Sequence, residues 1–206
     1  MNIILASSSP RRRMLLNKAG YSFTVIPSEE EERKDYSLSP EEFAMSLAKQ
    51  KAESVKERLI SSGFDFSGKD SVIIGADTIV VFGGEILGKP KNPEDARLTL
   101  GRLSGKKHTV ITGFCVTYGA FLKNIIVDYD SSDVLFNDLS PSLIEEYVAR
   151  GLPLDKAGSY GFQDGYDIVK SVSGSESNVI GLPMEKLILA LSETERASDG
   201  KTPRPD

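Results

Sequence analysis

Four times in this chain a helix-capping residue is followed at once by proline: Ser9-Pro10, Ser39-Pro40, Asn92-Pro93 and Ser140-Pro141. Each pair fixes where a helix can begin. The cap side chain accepts a hydrogen bond from a backbone N–H that has no partner within the helix, and the locked φ of proline suits the first turn. Ser39 and Glu42 add the signature of a capping box. Between these starts lie short β-branched runs: NIILA from Asn2, YSFTVIP from Tyr21, SVIIGA from Ser71, TIVVF from Thr78, YDIVKSV from Tyr166 and NVIGL from Asn178. The longer stretch from His108 to Phe136 reads as an antiparallel hairpin. The pattern predicts an α/β fold with a mixed sheet and flanking helices.

At 206 residues the chain suits one domain with a sizeable core. A last helix is expected at PMEKLILALSE, so the domain should occupy residues 1–192, with a flexible polar tail over 193–206. No apolar run approaches the roughly 20 residues that cross a bilayer. Arginines follow the short apolar start instead of preceding it, which is not the order of a signal peptide. A cytoplasmic protein without a membrane partner is therefore expected. The net charge of -5 argues against a nucleic-acid polymer as partner, but not against a small anion in a local basic pocket.

One cysteine and one histidine narrow the chemistry further. Cys115 lies in a strand-like run and reads as a core thiol. His108 follows SGKK and reads as a solvated turn residue. Carboxylates, lysines and arginines must then carry any catalysis.

Five stretches offer such groups. In ILASSSPRRRMLL a strand feeds serines and then a helix whose first turn carries Arg11 and Arg12. A helix start already favours anions, and arginines at that position run against the usual acidic first turn, as in Glu41, Glu42, Glu94 and Asp95. Phosphate or another anion fits there. In the second helix, Phe43, Leu47, Lys51, Val55 and Leu59 recur every four residues, so Lys51 interrupts an apolar face. It must snorkel out, pair with a carboxylate or point into a polar cavity. Asp77 directly follows SVIIGA, where α/β proteins place ligand contacts at a strand's carboxyl end, and could bind Mg²⁺ or orient water. Lys89 sits on the GKP turn, within reach of a phosphate. The acidic run Glu29–Arg33 and the glycine-rich PLDKAGSYGFQDG, with Asp155, Lys156 and Gln163, complete the set.

The blocks ILASSSPRRRMLL, LAKQKA, IGADTIVV, LGKP, LSGKKHTVITG, PLDKAGSYGFQ and NVIGLP together resemble the Maf family of nucleoside triphosphate pyrophosphatases, in the family's order along nearly the whole chain. The resemblance implies a two-lobed α/β fold around a central cleft, related to the inosine triphosphate pyrophosphatases. It implies hydrolysis of a nucleoside triphosphate between the α and β phosphorus with Mg²⁺, Mn²⁺ or Co²⁺. Carried over by position, Asp77 is the general base. Ser7, Arg11, Arg12, Lys51 and Lys89 hold phosphate, and Glu32 joins Asp77 at the metal, with Glu31 as the one-residue register alternative. Arg11, Thr78 and Gln163 resemble the dTTP/UTP branch rather than the 7-methyl-GTP branch. Phe162, Glu176 and Ser177 depart from the usual pattern. The family resemblance also allows a homodimer, and a non-catalytic role linked to septum formation as the competing reading.

Overall fold

The computed structural model describes residues 1–29, 32–66 and 71–198. In chain order its elements are β1 (Asn2–Leu5), α1 (Pro10–Lys18), β2 (Phe23–Val25), α2 (Pro40–Ser61), β3 (Ser71–Phe82), β4 (Glu85–Leu87), α3 (Pro93–Leu103), β5 (Lys107–Tyr118), β6 (Asn124–Phe136), α4 (Pro141–Ala149), β7 (Val169–Ser173), α5 (Glu176–Ile180) and α6 (Met184–Ser198). All four cap–proline pairs open helices. The side chains of Ser9, Ser39, Asn92 and Ser140 each accept a backbone N–H three residues on, and the Ser39–Glu42 capping box is complete.

The seven strands form one mixed sheet in the order β2-β1-β3-β5-β6-β7, with β4 also on β3. β1 is parallel to β2 and β3, and the remaining pairings are antiparallel, including the predicted hairpin of β5 and β6. The runs SVIIGA and TIVVF, read as two strands, form the single strand β3. Its side facing β1 is paired up to Ile74, and pairing on that side resumes with β4 only at Val80. Its other side pairs with β5 from Val72 to Val81 without a break. Residues 75–79 therefore border an opening in the sheet, and Asp77 and Thr78 stand in it. Asp77 lies in the middle of its strand, not after it, but beyond the carboxyl end of parallel β1.

Apolar clusters at the two ends of the long strands give the molecule two lobes. At the β1 end, Leu16 of α1 and Leu187 of α6 pack with Ile74 and Phe114 on one face of the sheet. On the other face Ala48 and Ala52 of α2 pack with Ile73 and Cys115, which is the core thiol expected. Burial pushes that thiol's pKa up to about 12. At the opposite end, Leu100 of α3 and Tyr147 of α4 pack with Val110, Val134 and Phe136. β3, β5 and β6 run through both lobes.

Two more local expectations are corrected. NVIGL is not a strand: Val179 and Ile180 belong to α5, capped by Ser175, and Asn178 turns its side chain inward to bond β5. His108 is not solvated. It is 3% exposed, because in β5 it alternates with exposed Lys107 and points into the α3–α4 lobe. The last helix, expected at PMEKLILALSE, forms as α6 and runs to Ser198, with Leu191 and Thr194 on its buried face. Residues 199–206 lie outside the described residues. Among the described residues no helix is long and apolar enough to cross a membrane.

Candidate active site

A cleft of about 980 Å³ opens at the unpaired edge of β3 and is lined from both lobes. Along one wall runs the β1–α1 turn. Ser7 and Arg12 are buried there, whereas Arg11 is only partly covered. Arg12 donates from Nε to the Gly181 carbonyl at 2.7 Å, from one terminal nitrogen to Ser7 Oγ at 3.0 Å and from the other to Thr78 Oγ1 at 3.2 Å. Three of its five N–H donors thus hold the turn, β3 and the end of α5 together. Burial draws its pKa down; Asp77 and Glu32 oppose that effect, and Arg11 adds to it. Arg11 reaches across the cleft to Asp155 at 3.1 Å.

The opposite face of β3 carries the acid. Lys51 of α2 points into a polar cavity and pairs with carboxylates, so two of the three options left open for it hold together. Its Nζ lies 2.9 Å from Glu32 and also bonds Asp77. The approach of α2 that brings it there depends on two glycines. A Cβ on Gly75 would fall 2.2 Å from the Ala48 carbonyl oxygen, and one on Gly113 would fall 2.4 Å from the Ala44 carbonyl carbon. Burial pushes the Glu32 carboxyl pKa up, but the hydrogen bond and charge of Lys51, with Lys34 and Lys89, leave it below its ordinary value. Lys89 is exposed on the turn after β4 and lines the cleft. Glu31, the register alternative, lies outside the described residues.

The far wall is the loop between α4 and β7. It holds short 3₁₀ turns at Leu152–Asp155 and Ala157–Ser159, and Gly158 N–H bonds the Gly88 carbonyl at 3.1 Å, tying the loop to the Lys89 turn. Gln163 is exposed on the cleft rim. Lys156 is buried. Its ammonium bonds the Leu152 carbonyl and Asp155 at 2.8 Å, and lies 3.4 Å from Asp164. Beneath the loop, Tyr160 hydroxyl meets His108 Nε2 at 2.8 Å.

All the predicted site residues within the described segments, namely Ser7, Arg11, Arg12, Glu32, Lys51, Asp77, Thr78, Lys89 and Gln163, line this one cleft. Two contributors were missed as site residues. Lys156 stood in a stretch already singled out, but nothing local showed that it would be buried. Asn178 was hidden by its β-branched neighbours. Among the described residues no group of three or more metal-ligating side chains occurs. Glu32 and Asp77 do converge on one cation, the Lys51 ammonium, so two hard oxygen donors face a common point. That donor set suits a hard divalent ion that keeps most of its coordination for water and phosphate oxygen.

Fold and site together define a two-lobed α/β protein whose cleft sets cationic side chains around a carboxylate pair. The chain belongs to the Maf-like protein family, whose model matches residues 2–194. It is 47% identical over 186 residues to a dTTP/UTP pyrophosphatase of Caldicellulosiruptor saccharolyticus, covering 90% of each chain. It is 43% identical over 197 residues to a dTTP/UTP pyrophosphatase of Clostridium tetani, covering 94% of this chain and 97% of that one. Among solved structures, a HAM1 protein from Coxiella burnetii matches with a TM-score of 0.49 at 12% identity, over 94% of this chain and 99% of that one.

Proposed function

We propose that this protein hydrolyses dTTP and UTP between the α and β phosphorus, releasing the nucleoside monophosphate and pyrophosphate. The observation that carries this reading is the identity of 42–47% over at least 90% of both chains to relatives named dTTP/UTP pyrophosphatase. The cleft supports it, because cationic and acidic groups stand where an anhydride and a water would both be held.

In this reading Arg11, Lys51 and Lys89 bind triphosphate oxygens and stabilise the charge that develops on the leaving pyrophosphate. Ser7 is held by Arg12, and Arg12 lends its buried charge to the same wall. Asp77 orients water and takes its proton. Glu32 and Asp77 would hold Mg²⁺, or Mn²⁺ or Co²⁺ in its place. When bound, such an ion neutralises triphosphate charge and polarises the attacked phosphorus. Thr78, Gln163 and Arg11 select the nucleoside. The protein would act in the cytoplasm on free nucleotides, not on a nucleic-acid polymer or a membrane, and a homodimer is compatible with this.

The test is pyrophosphate release from UTP, dTTP, CTP and 7-methyl-GTP with Mg²⁺. Release from UTP and dTTP well above the other two is expected. Silence on every nucleotide would favour a binding role instead.

A further inference from the structure

Behind the cleft wall lies a chain of buried polar groups whose hydrogen directions are all determined. Thr112 and Asn178 are both 0% exposed. The Asn178 side-chain amide bonds β5 as a peptide group of a neighbouring strand would. Its Oδ1 accepts the Thr112 N–H at 3.0 Å, and its Nδ2 donates to the Val110 carbonyl at 3.0 Å and to Ser132 Oγ at 3.0 Å. A backbone N–H can only donate and a carbonyl can only accept, so the amide has one orientation.

The hydroxyls follow from it. Thr112 Oγ1 lies 2.9 Å from the Asn178 backbone carbonyl, which needs a donor, so the single hydroxyl hydrogen of Thr112 is spent there. Thr78 Oγ1 lies 2.9 Å from Thr112 Oγ1, and in that contact Thr78 must be the donor. Arg12 donates to Thr78 Oγ1 at 3.2 Å, which takes one lone pair. Thr78 is half-buried and lines the cleft. What remains to face a ligand is one lone pair and no hydrogen.

We infer that Thr112 and Asn178 are positioning residues that hold Thr78 as a pure hydrogen-bond acceptor, and that this polarity selects a base with an N3–H over one without. The inference rests on the pyrimidine nucleotide reading above and deepens it. An ionised phosphate oxygen offers no hydrogen, so Thr78 marks the nucleoside end of the cleft. Val80, Tyr160 and Val179 line the cleft and pack together beside it, an apolar flank suited to a base. Uracil and thymine present N3–H to such an acceptor. Cytosine presents a bare N3 and meets lone pair against lone pair, the kind of mismatch that polar sites reject strongly.

The test compares kcat/KM for UTP, CTP and N3-methyl-UTP in the wild type, Thr112→Val and Thr112→Ser. Without the Thr112 hydroxyl, Thr78 is free to turn its hydrogen toward cytosine N3. Thr112→Val should narrow the UTP:CTP ratio roughly tenfold, chiefly by a rise in CTP turnover. Thr112→Ser keeps the hydroxyl and should keep the wild-type ratio. A merely structural role would lower both substrates together. A folded Thr112→Val with an unchanged ratio overturns the inference while leaving the pyrophosphatase reading intact. So does a wild type that turns over N3-methyl-UTP as fast as UTP, a result that does not depend on any variant folding. Silence of the wild type on UTP overturns both.

Discussion

Asp77 and Lys51 contribute to one another. The lysine sits on a face otherwise made of Phe43, Leu47 and Val55, all buried, and its charge is balanced by Asp77 and Glu32. Asp77 in turn is held where a water on β3's open edge would meet it. Asp77→Asn keeps the shape but removes the carboxylate proposed as proton acceptor. It should lower kcat by about 10²–10⁴-fold, the usual worth of a general base, with a melting temperature near that of wild type. Retained turnover in a well-folded Asp77→Asn would move the base elsewhere. The role of Lys51 was open in the sequence because four-residue spacing places a side chain on a face without showing what faces it. Its partners come from a loop and from β3, 19 and 26 positions away along the chain.

At the scale of elements, α2 is the piece that the sequence described best and constrained least. Its start, capping box and buried stripe were readable from local chemistry, but its depth was not. That depth comes from Gly75 and Gly113, which lie two residues out of register on the same face of the paired strands β3 and β5, where bare backbone lets the helix settle onto the sheet. Gly113→Ala should cost about 1–3 kcal/mol by overpacking, and should lower turnover further by drawing Lys51 away from Asp77. Denaturant melts and pyrophosphate release check the two effects separately; a variant unchanged in both would show that the contact yields easily. Other elements were misread for related reasons. Asp77 looked like a break between two strands, whereas the long antiparallel pairing with β5 carries β3 straight through it. Val179 and Ile180 suggested a strand, but five residues capped by Ser175 and anchored through Asn178 are worth more as a helical turn, because the buried amide finds all its partners there.

At the scale of the whole molecule, the sequence showed that the sheet is mixed and which blocks carry chemistry. It did not show the opening between β1 and β4 that lets those blocks meet. The same limit applies to His108, whose burial depends on α3, α4 and the 152–169 segment closing over β5. Burial lowers its pKa to about 4, against a smaller opposing effect of Asp133, so the folded state prefers the neutral ring. The unfolded chain takes up a proton near the ordinary value of 6.5, and so binds more protons between the two values. Stability from this group is complete above about pH 6.5 and drains away as pH falls toward 4, by about 3 kcal/mol in all. Thermal melts from pH 7 to 4.5 should show that loss, and His108→Gln should flatten it. An equal slope in the variant would assign acid sensitivity to other groups. Glu32 acts in a separate window: its lowered carboxyl pKa gives stability that is present above about 4.5 and lost only on further acidification.

Arg12 and the carbonyl of Gly181 are separated by 169 positions, yet their hydrogen bond fastens the turn beside the acid. A nascent chain leaving the ribosome presents the arginines long before the peptide that will receive them. Until then the guanidinium stays hydrated and mobile, and the wall it fastens does not exist. Closing this wall thus needs both segments, and a product that stops short of Gly181 carries the charged motifs without the hydrogen bond that fastens them.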